Sequence, residues 1–152
     1  MKRLLPALLI TSLASAVSAE EIQSVMVWHD SDRAPVTDDY RFAPGTEIYV
    51  FDMALQRQAE ARMNSDLGKR GLAFGPDIGS NQARTKDALR RYMSTEDFEE
   101  VSRELKAFGY GMSAAMQYRI ERVPSILLNE RYLVIGVNSV DEAVSLFLQE
   151  VN

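Results

Sequence analysis

The chain has 152 residues, a formal net charge of -5 at pH 7 and no cysteine. Nucleic-acid binding depends on clustered lysine and arginine side chains, so this acidic balance argues against direct contact with phosphate backbones. The absence of cysteine excludes thiol–disulfide exchange, which requires attack by a thiolate, and leaves packing alone to stabilise the fold.

The first residues have the features of a secretory signal peptide. Lys2 and Arg3 form a basic N-terminal region, and an apolar stretch covers residues 4–17. Small residues up to Ala19 occupy the positions that a signal peptidase recognises. The stretch is shorter than the roughly 20 apolar residues that a membrane span needs. We therefore expect cleavage after Ala19, with a single mature domain at 20–152 that carries a net charge of -7 and has no membrane span.

Two short β-prone runs follow. Residues 24–28 predict a first strand, which ends at a polar run (29–32) whose side chains favour turns. A polar loop occupies 32–45. Residues 47–51 predict a second strand, and their apolar and aromatic side chains indicate that it is mostly buried.

Helical periodicity dominates the middle of the chain. Asp52 is a plausible N-cap for a helix that runs to about Leu67, and the glycine-rich stretch 68–79 predicts a surface loop. Ser80 can cap a second helix that ends at 92 or 93. Four methionines at helical spacing are expected to fill the core: Met63, Met93, Met112 and Met116.

The next helix has the strongest signals. Ser94 and Thr95 can cap it, acidic residues follow, and apolar residues from 98 to 108 repeat at helical spacing. Gly109 and Gly111 weaken the pattern before it resumes as far as Ile120. One kinked helix and two consecutive helices both fit this segment.

The last third carries the clearest fold signal. Residues 123–128 predict a strand that opens with Pro124, 129–131 a tight turn, 132–135 a second strand, and 139–151 an amphipathic helix. This order is typical of the second half of a thioredoxin-like domain, in which the peptide bond before the proline is cis. We therefore predict an α/β fold: a cysteine-free thioredoxin-like domain, with a mixed sheet of about four strands and flanking helices.

In such a fold, the proline loop faces the end of the first strand, where redox members carry a Cys-x-x-Cys motif. If 24–28 is that strand, residues 30–36 occupy the vacant position; if 47–51 is that strand, residues 52–55 do. The first alternative predicts a partner-binding groove made of Trp28, Asp30, Ser31, Asp32, Arg33, Pro35, Val123, Pro124 and Ser125. A core position for Trp28 is an equal alternative.

Catalytic constellations are poorly supported. His29 is the only histidine, and no other histidine or cysteine can complete a zinc site with Asp30 and Asp32. The Gly-x-Ser-x-Gly motif of many serine hydrolases is missing. We therefore expect no catalytic residue, no metal site and no cofactor, and we interpret His29 as part of a polar strand end.

Several segments together resemble a known family: Val25-Met26-Val27-Trp28, the run from Ser31 to Val36, the run from Ile48 to Asp52, the helix glycine at Tyr110-Gly111, Val123-Pro124-Ser125-Ile126, the run from Arg131 to Gly136, and Asp141-Glu142-Ala143. They look like small exported, thioredoxin-like proteins that integrating conjugative elements encode, and are similar to the periplasmic pilin-assembly proteins of F-type transfer systems. Arg119 departs from this pattern, because a small residue is expected there.

The resemblance implies a periplasmic, redox-inactive component or assembly factor of a conjugative type IV secretion system. Such a protein would act by binding protein components of the secretion channel or of pilus assembly. The alternative is a general periplasmic, chaperone-like binding module that is unrelated to conjugation.

Overall fold

The computed structural model describes residues 22–37, 42, 44–71 and 82–151. The predicted signal peptide, the Ser80 cap and most of the glycine-rich loop lie outside these residues. The described elements, in chain order, are β1 (Ser24–His29), β2 (Glu47–Asp52), α1 (Leu55–Lys69), α2 (Gln82–Tyr92), α3 (Glu96–Gln117), β3 (Ser125–Leu128), β4 (Tyr132–Ile135) and α4 (Val140–Val151).

The four strands form one mixed sheet in the order β2-β1-β3-β4. β1 and β2 are parallel, whereas β3 is antiparallel to both of its neighbours. The prediction of an α/β fold with a mixed four-stranded sheet is confirmed, and the strand order is consistent with a thioredoxin-like domain. The described residues between β1 and β2 form a turn and two isolated bridges rather than a helix.

The core has two halves, because successive side chains of a strand point to opposite faces of the sheet. On one face, alternate residues of β1 and β3 pack against α4: Val25, Val27, Ile126 and Leu128 against Val140, Ala143 and Phe147. On the other face, the remaining strand residues pack beneath α3: Met26, Trp28 and Leu127 against Ala115.

The prediction that the second strand is mostly buried is wrong. Ile48, Tyr49 and Val50 are 42%, 44% and 47% exposed. β2 lies at the edge of the sheet and pairs only with β1. α4 packs on β3, two strands away, so it does not cover Ile48 and Val50 on its own face of the sheet.

Of the predicted helix N-caps at Thr95 and Asp52, the structure confirms the first and not the second. Thr95 caps α3 as expected, since its hydroxyl accepts a hydrogen bond from the Phe98 amide at 3.4 Å. Asp52 is not the N-cap of α1, which begins at Leu55 after Ala54. Its carboxylate instead accepts a hydrogen bond from the Ala54 amide at 2.9 Å and closes the turn before the helix.

The structure also settles the open alternative at Gly109 and Gly111, because α3 runs through both glycines as one helix. The core assignment of the methionines is wrong for three of the four. Met93, Met112 and Met116 are 58%, 39% and 76% exposed. Small residues of α3, Gly111 and Ala115, face the sheet in their place, because they allow the helix to lie close to it.

Candidate functional site

The loop that carries Pro124 is fixed at the end of β1. Ser125 is opposite Trp28 in the β1–β3 pairing, and the Val123–Pro124 peptide bond is cis, as predicted. The buried Ser125 hydroxyl donates a hydrogen bond to the Arg122 carbonyl at 2.6 Å, and the Gly136 amide donates one to the Pro124 carbonyl at 2.9 Å. These bonds hold the loop between two strand ends.

Val123 is the open position of this loop. Its side chain is 38% exposed, and neither its N–H nor its carbonyl forms a hydrogen bond with any other described residue. The register that pairs Trp28 with Ser125 would place Asp30 opposite Val123. A continued β1 would therefore have paired with Val123, but the chain turns away before reaching it.

The turn after β1 explains why this pairing does not form. The Asp30 N–H donates to the Ala34 carbonyl at 3.3 Å, and the Asp30 carbonyl accepts from the Arg33 and Ala34 amides at 3.2 and 2.8 Å. The backbone of Asp30 is therefore satisfied within its own turn. The backbone of Val123, in the bend just before β3, remains open, and open backbone groups beside a sheet can pair with an additional strand.

The Asp30 carboxylate fixes the same turn to α1. It accepts hydrogen bonds from the amides of Asp32 and Arg33 and from Arg57 Nη2, all at 3.1 Å. Asp32 accepts from Arg57 at 2.7 Å and from Gln58 at 2.8 Å. Burial raises the pKa of Asp30, but the hydrogen bonds from Arg57 and the backbone amides outweigh it, so this pKa lies below its ordinary value.

An apolar depression of about 550 Å³ lies beside Val123. Its walls come from Met53 after β2, from the C-terminal half of α3 and from the segment that follows α3, and they include Met112, Met116 and Ile120. Arg119, Glu121 and Arg122 also line it. We call this depression, together with the open backbone of Val123, the groove.

Trp28 forms the base of the groove and is a core residue at the same time. It is fully buried, its Nε1 donates a hydrogen bond to the Gly111 carbonyl at 3.0 Å, and its ring centroid lies 5.2 Å from that of Phe51 and 6.2 Å from that of Tyr118. Trp28 therefore sets the position of α3 over the sheet. The depth of the groove depends on that position.

The structure brings together only part of the predicted site. Trp28, Val123, Pro124 and Ser125 meet at the end of β1. Of the nine predicted residues, only Trp28 and Val123 line the depression itself. The others do not: Asp30, Ser31, Asp32, Arg33, Pro35, Pro124 and Ser125. Ser31 is bound to Asp52 and Gln58, and Pro35 leads the chain toward α4, where the Thr37 amide bonds to the Asn138 carbonyl.

Several groove residues were missed by the sequence prediction, namely Met53, Met112, Met116, Ile120, Arg119 and Arg122. Met112 and Met116 were recognised as a stripe at helical spacing but were assigned to the core. Arg119 carried a usable signal, because an arginine stands there in place of the expected small residue. Its backbone φ of 56° explains that expectation, since glycine is favoured in this left-handed region.

His29 ends β1 with a buried ring nitrogen and an acidic neighbour. Its Nδ1 is buried and accepts or donates no hydrogen bond within the described part of the chain. Asp52 is its neighbour in the β1–β2 pairing. Across residues 22–37, 42, 44–71 and 82–151, no three histidine or acidic side chains lie close enough together to hold a metal ion. No helix in these ranges is long and apolar enough to cross a membrane.

The fold and the groove define a class of protein: an α/β domain with a cis-proline loop beside an apolar groove, and without the cysteines of a thiol oxidoreductase. The chain belongs to the family described as a protein of unknown function, DUF1525, which matches residues 22–150. No curated protein and no solved structure matches it. The family description carries no function, so the resemblance to conjugative-element proteins stays a prediction.

Proposed function

We propose that this protein is a redox-inactive periplasmic component or assembly factor of a conjugative type IV secretion system, and that it binds an extended segment of another protein of that system in the groove. The observation that carries the binding proposal is the unpaired backbone of Val123 beside an apolar depression. The assignment to conjugation rests on the sequence resemblance.

The binding mode follows from the chemistry of the groove. A partner strand that runs past Val123 can exchange main-chain hydrogen bonds with its N–H and carbonyl, which is β-augmentation. One side chain of that strand would enter the depression between Met112 and Met116. Burial of apolar surface contributes about 25 cal/mol per Å², so a single large apolar side chain is a sufficient anchor for a weak, reversible complex.

The first test is the conjugation frequency of a donor that carries a clean in-frame deletion of this gene, complemented by a copy with its signal peptide. We expect a large loss of transfer in the deletion strain and recovery on complementation. Unchanged transfer in the deletion strain would refute the role in conjugation.

A matched pair of variants then tests the groove. Met116 lines it and is 76% exposed, whereas Met93 is 58% exposed and does not line it. Since both side chains are solvent-accessible, Met116→Asp and Met93→Asp should both fold. We expect Met116→Asp to lower complementation about tenfold or more, the equivalent of about 1.4 kcal/mol of binding free energy, and Met93→Asp to complement fully. Equal complementation by the two variants would contradict binding in the groove.

One observation favours the alternative, a general periplasmic chaperone-like module. Met53, Met112 and Met116 give the groove three flexible thioether side chains, which adapt to many apolar partners. This alternative predicts that Met116→Asp impairs protection of unrelated unfolded proteins against aggregation, and that deletion of the gene leaves transfer unchanged.

A further inference from the structure

We propose that the segment recognised by the groove is acidic, and that Arg119 and Arg122 read its carboxylates on either side of an apolar anchor residue. This inference rests on the proposed function, because it names the chemistry of the partner that binds the same groove. It concerns the specificity of the site rather than its existence.

The first observation is the charge at the groove. Arg119 and Arg122 are exposed and line the depression, and neither forms an ion pair with another described residue. Glu121 lies between them in sequence and is paired with neither. Among the other described arginines, four form ion pairs with carboxylates, namely Arg57, Arg62, Arg70 and Arg90, and four do not, namely Arg33, Arg91, Arg103 and Arg131. What distinguishes Arg119 and Arg122 is that both line the depression.

The second observation is the backbone of Arg119. It follows the last turn of α3 and has a φ of 56°, a conformation that costs free energy for any residue with a Cβ atom. Of the five other described positions of positive φ, three are glycines, at Gly45, Gly71 and Gly136, and two are the hairpin-turn residues Asn129 and Glu130. At Arg119 the chain carries a long cationic side chain where glycine would be unstrained. That side chain lies at the end of α3 and lines the groove, where its guanidinium can bind a ligand.

Together, the two observations indicate that the groove binds an anionic ligand beside Arg119 and Arg122, which form its rim. A guanidinium forms paired hydrogen bonds with a carboxylate, and its charge is never lost at physiological pH. An extended segment with one apolar residue in the depression places its flanking side chains near the rim. Aspartate or glutamate at those positions would meet Arg119 and Arg122, whereas lysine or arginine there would be repelled.

The test uses the mature chain and two fluorescent peptides, Ser-Asp-Val-Leu-Val-Asp-Ser and its isosteric counterpart with asparagine in place of both aspartates. Binding is measured by fluorescence anisotropy at low and high salt. We expect the acidic peptide to bind about tenfold more tightly than the asparagine peptide at low salt, and this advantage to shrink at high salt. Equal affinity for the two peptides would overturn the inference.

Variants locate the effect. Arg119→Gly removes the charge and relieves the positive φ, so it should fold at least as well as the parent and lose most of the preference for the acidic peptide. Arg122→Gln should lose part of it. Arg103→Gln is the matched control: Arg103 is exposed on α3, forms no ion pair with another described residue and does not line the groove, so loss of its positive charge should leave the peptide preference unchanged. A full preference retained in Arg119→Gly would refute the role of this side chain.

Two further arms separate this inference from the proposed function and from another ligand. A peptide with an N-methylated central leucine cannot complete main-chain pairing. If methylation abolishes binding while both unmethylated peptides bind equally, the groove stands and the acidic preference fails. If methylation has no effect, or if neither peptide binds at about 1 mM, both the proposed β-augmentation and the inference of an acidic partner fail. Displacement of the acidic peptide by oligothymidylate would reassign the arginines to phosphate binding and overturn the inference.

Discussion

Gly109 and Gly111 lie two residues apart in α3. Replacing each by alanine distinguishes the gain in helix propensity from the cost of overpacking. A Cβ added at Gly109 has no neighbour within 4 Å, whereas one added at Gly111 would lie 3.0 Å from Phe51 Cβ and 3.4 Å from Cγ and Cδ1 of the same ring. The contact at 3.0 Å is with the Cβ atom of Phe51 in β2, and a Cβ atom is fixed by the backbone, so no change of rotamer can move it. Gly111→Ala therefore forces α3 away from the sheet.

The magnitudes follow from this contact. Replacement of a mid-helix glycine by alanine stabilises a helix by about 0.5–1 kcal/mol, and this gain is common to both variants. Overpacking in a close-packed interior costs about 1–3 kcal/mol, and it applies to Gly111→Ala alone. Gly109→Ala should thus be more stable than the parent, and the two variants should differ by about 1–3 kcal/mol, because the helix-propensity gain cancels in the comparison.

Urea unfolding followed by tryptophan fluorescence measures this difference directly. Trp28 is the only tryptophan, and its Nε1 is bonded to the carbonyl of Gly111 itself. A shift of α3 should therefore also change the emission of the folded Gly111→Ala protein, and leave that of Gly109→Ala unchanged. If Gly111→Ala proves as stable as Gly109→Ala, the spacing between α3 and β2 is not set by this contact and the reasoning fails.

Three more predictions rest on single contacts. Trp28→Phe removes the Nε1–H that donates to the Gly111 carbonyl and shrinks a fully buried ring, so the free energy of unfolding should fall by about 1–3 kcal/mol in a urea titration followed by circular dichroism, since this variant has no tryptophan. The folded pKa of Asp30 lies below its ordinary 3.8, so its stabilising effect is complete above that pH and is lost as the pH falls through the folded pKa; the urea midpoint should drop less steeply below about pH 4 in Asp30→Asn than in the parent. Ser125→Ala removes the hydrogen bond to the Arg122 carbonyl and should cost about 1 kcal/mol and speed amide exchange in the proline loop; unchanged exchange would show that the Gly136 amide suffices to hold it.

The C-terminal third could be predicted closely because its signals are local. Proline at the strand start, turn-forming residues at 129–131 and the return of strand periodicity together placed β3, β4 and the cis bond at Pro124. Asn129 and Glu130 both have a φ of 52°, as in a two-residue hairpin turn. These features depend on a few neighbouring residues, and those residues are visible in the sequence.

The position of a strand within the sheet is not local, and there the sequence misled. The run at Ile48, Tyr49 and Val50 looks the same whether it lies at the centre of a sheet or at an edge. Its exposure follows from the order β2-β1-β3-β4, which depends on distant pairing partners. Met112 and Met116 were misplaced for a similar reason, because helical spacing identifies a face of α3 but not what lies opposite it.

The residues of the predicted site fall into two groups in the structure, one at the end of β1 and one in the turn after it, and one physical reason accounts for this separation. The sequence indicated a polar turn after β1 but not that the carboxylate of Asp30 would bind Arg57 of α1, since that pairing spans 27 residues. This ion pair and the backbone bonds of the turn keep residues 30–34 folded on themselves. Because the turn closes in this way, β1 cannot continue alongside Val123. Residues 30–34 were predicted to contact the partner. Instead, by folding into a turn they leave the backbone of Val123 open, and in our proposal the partner binds there.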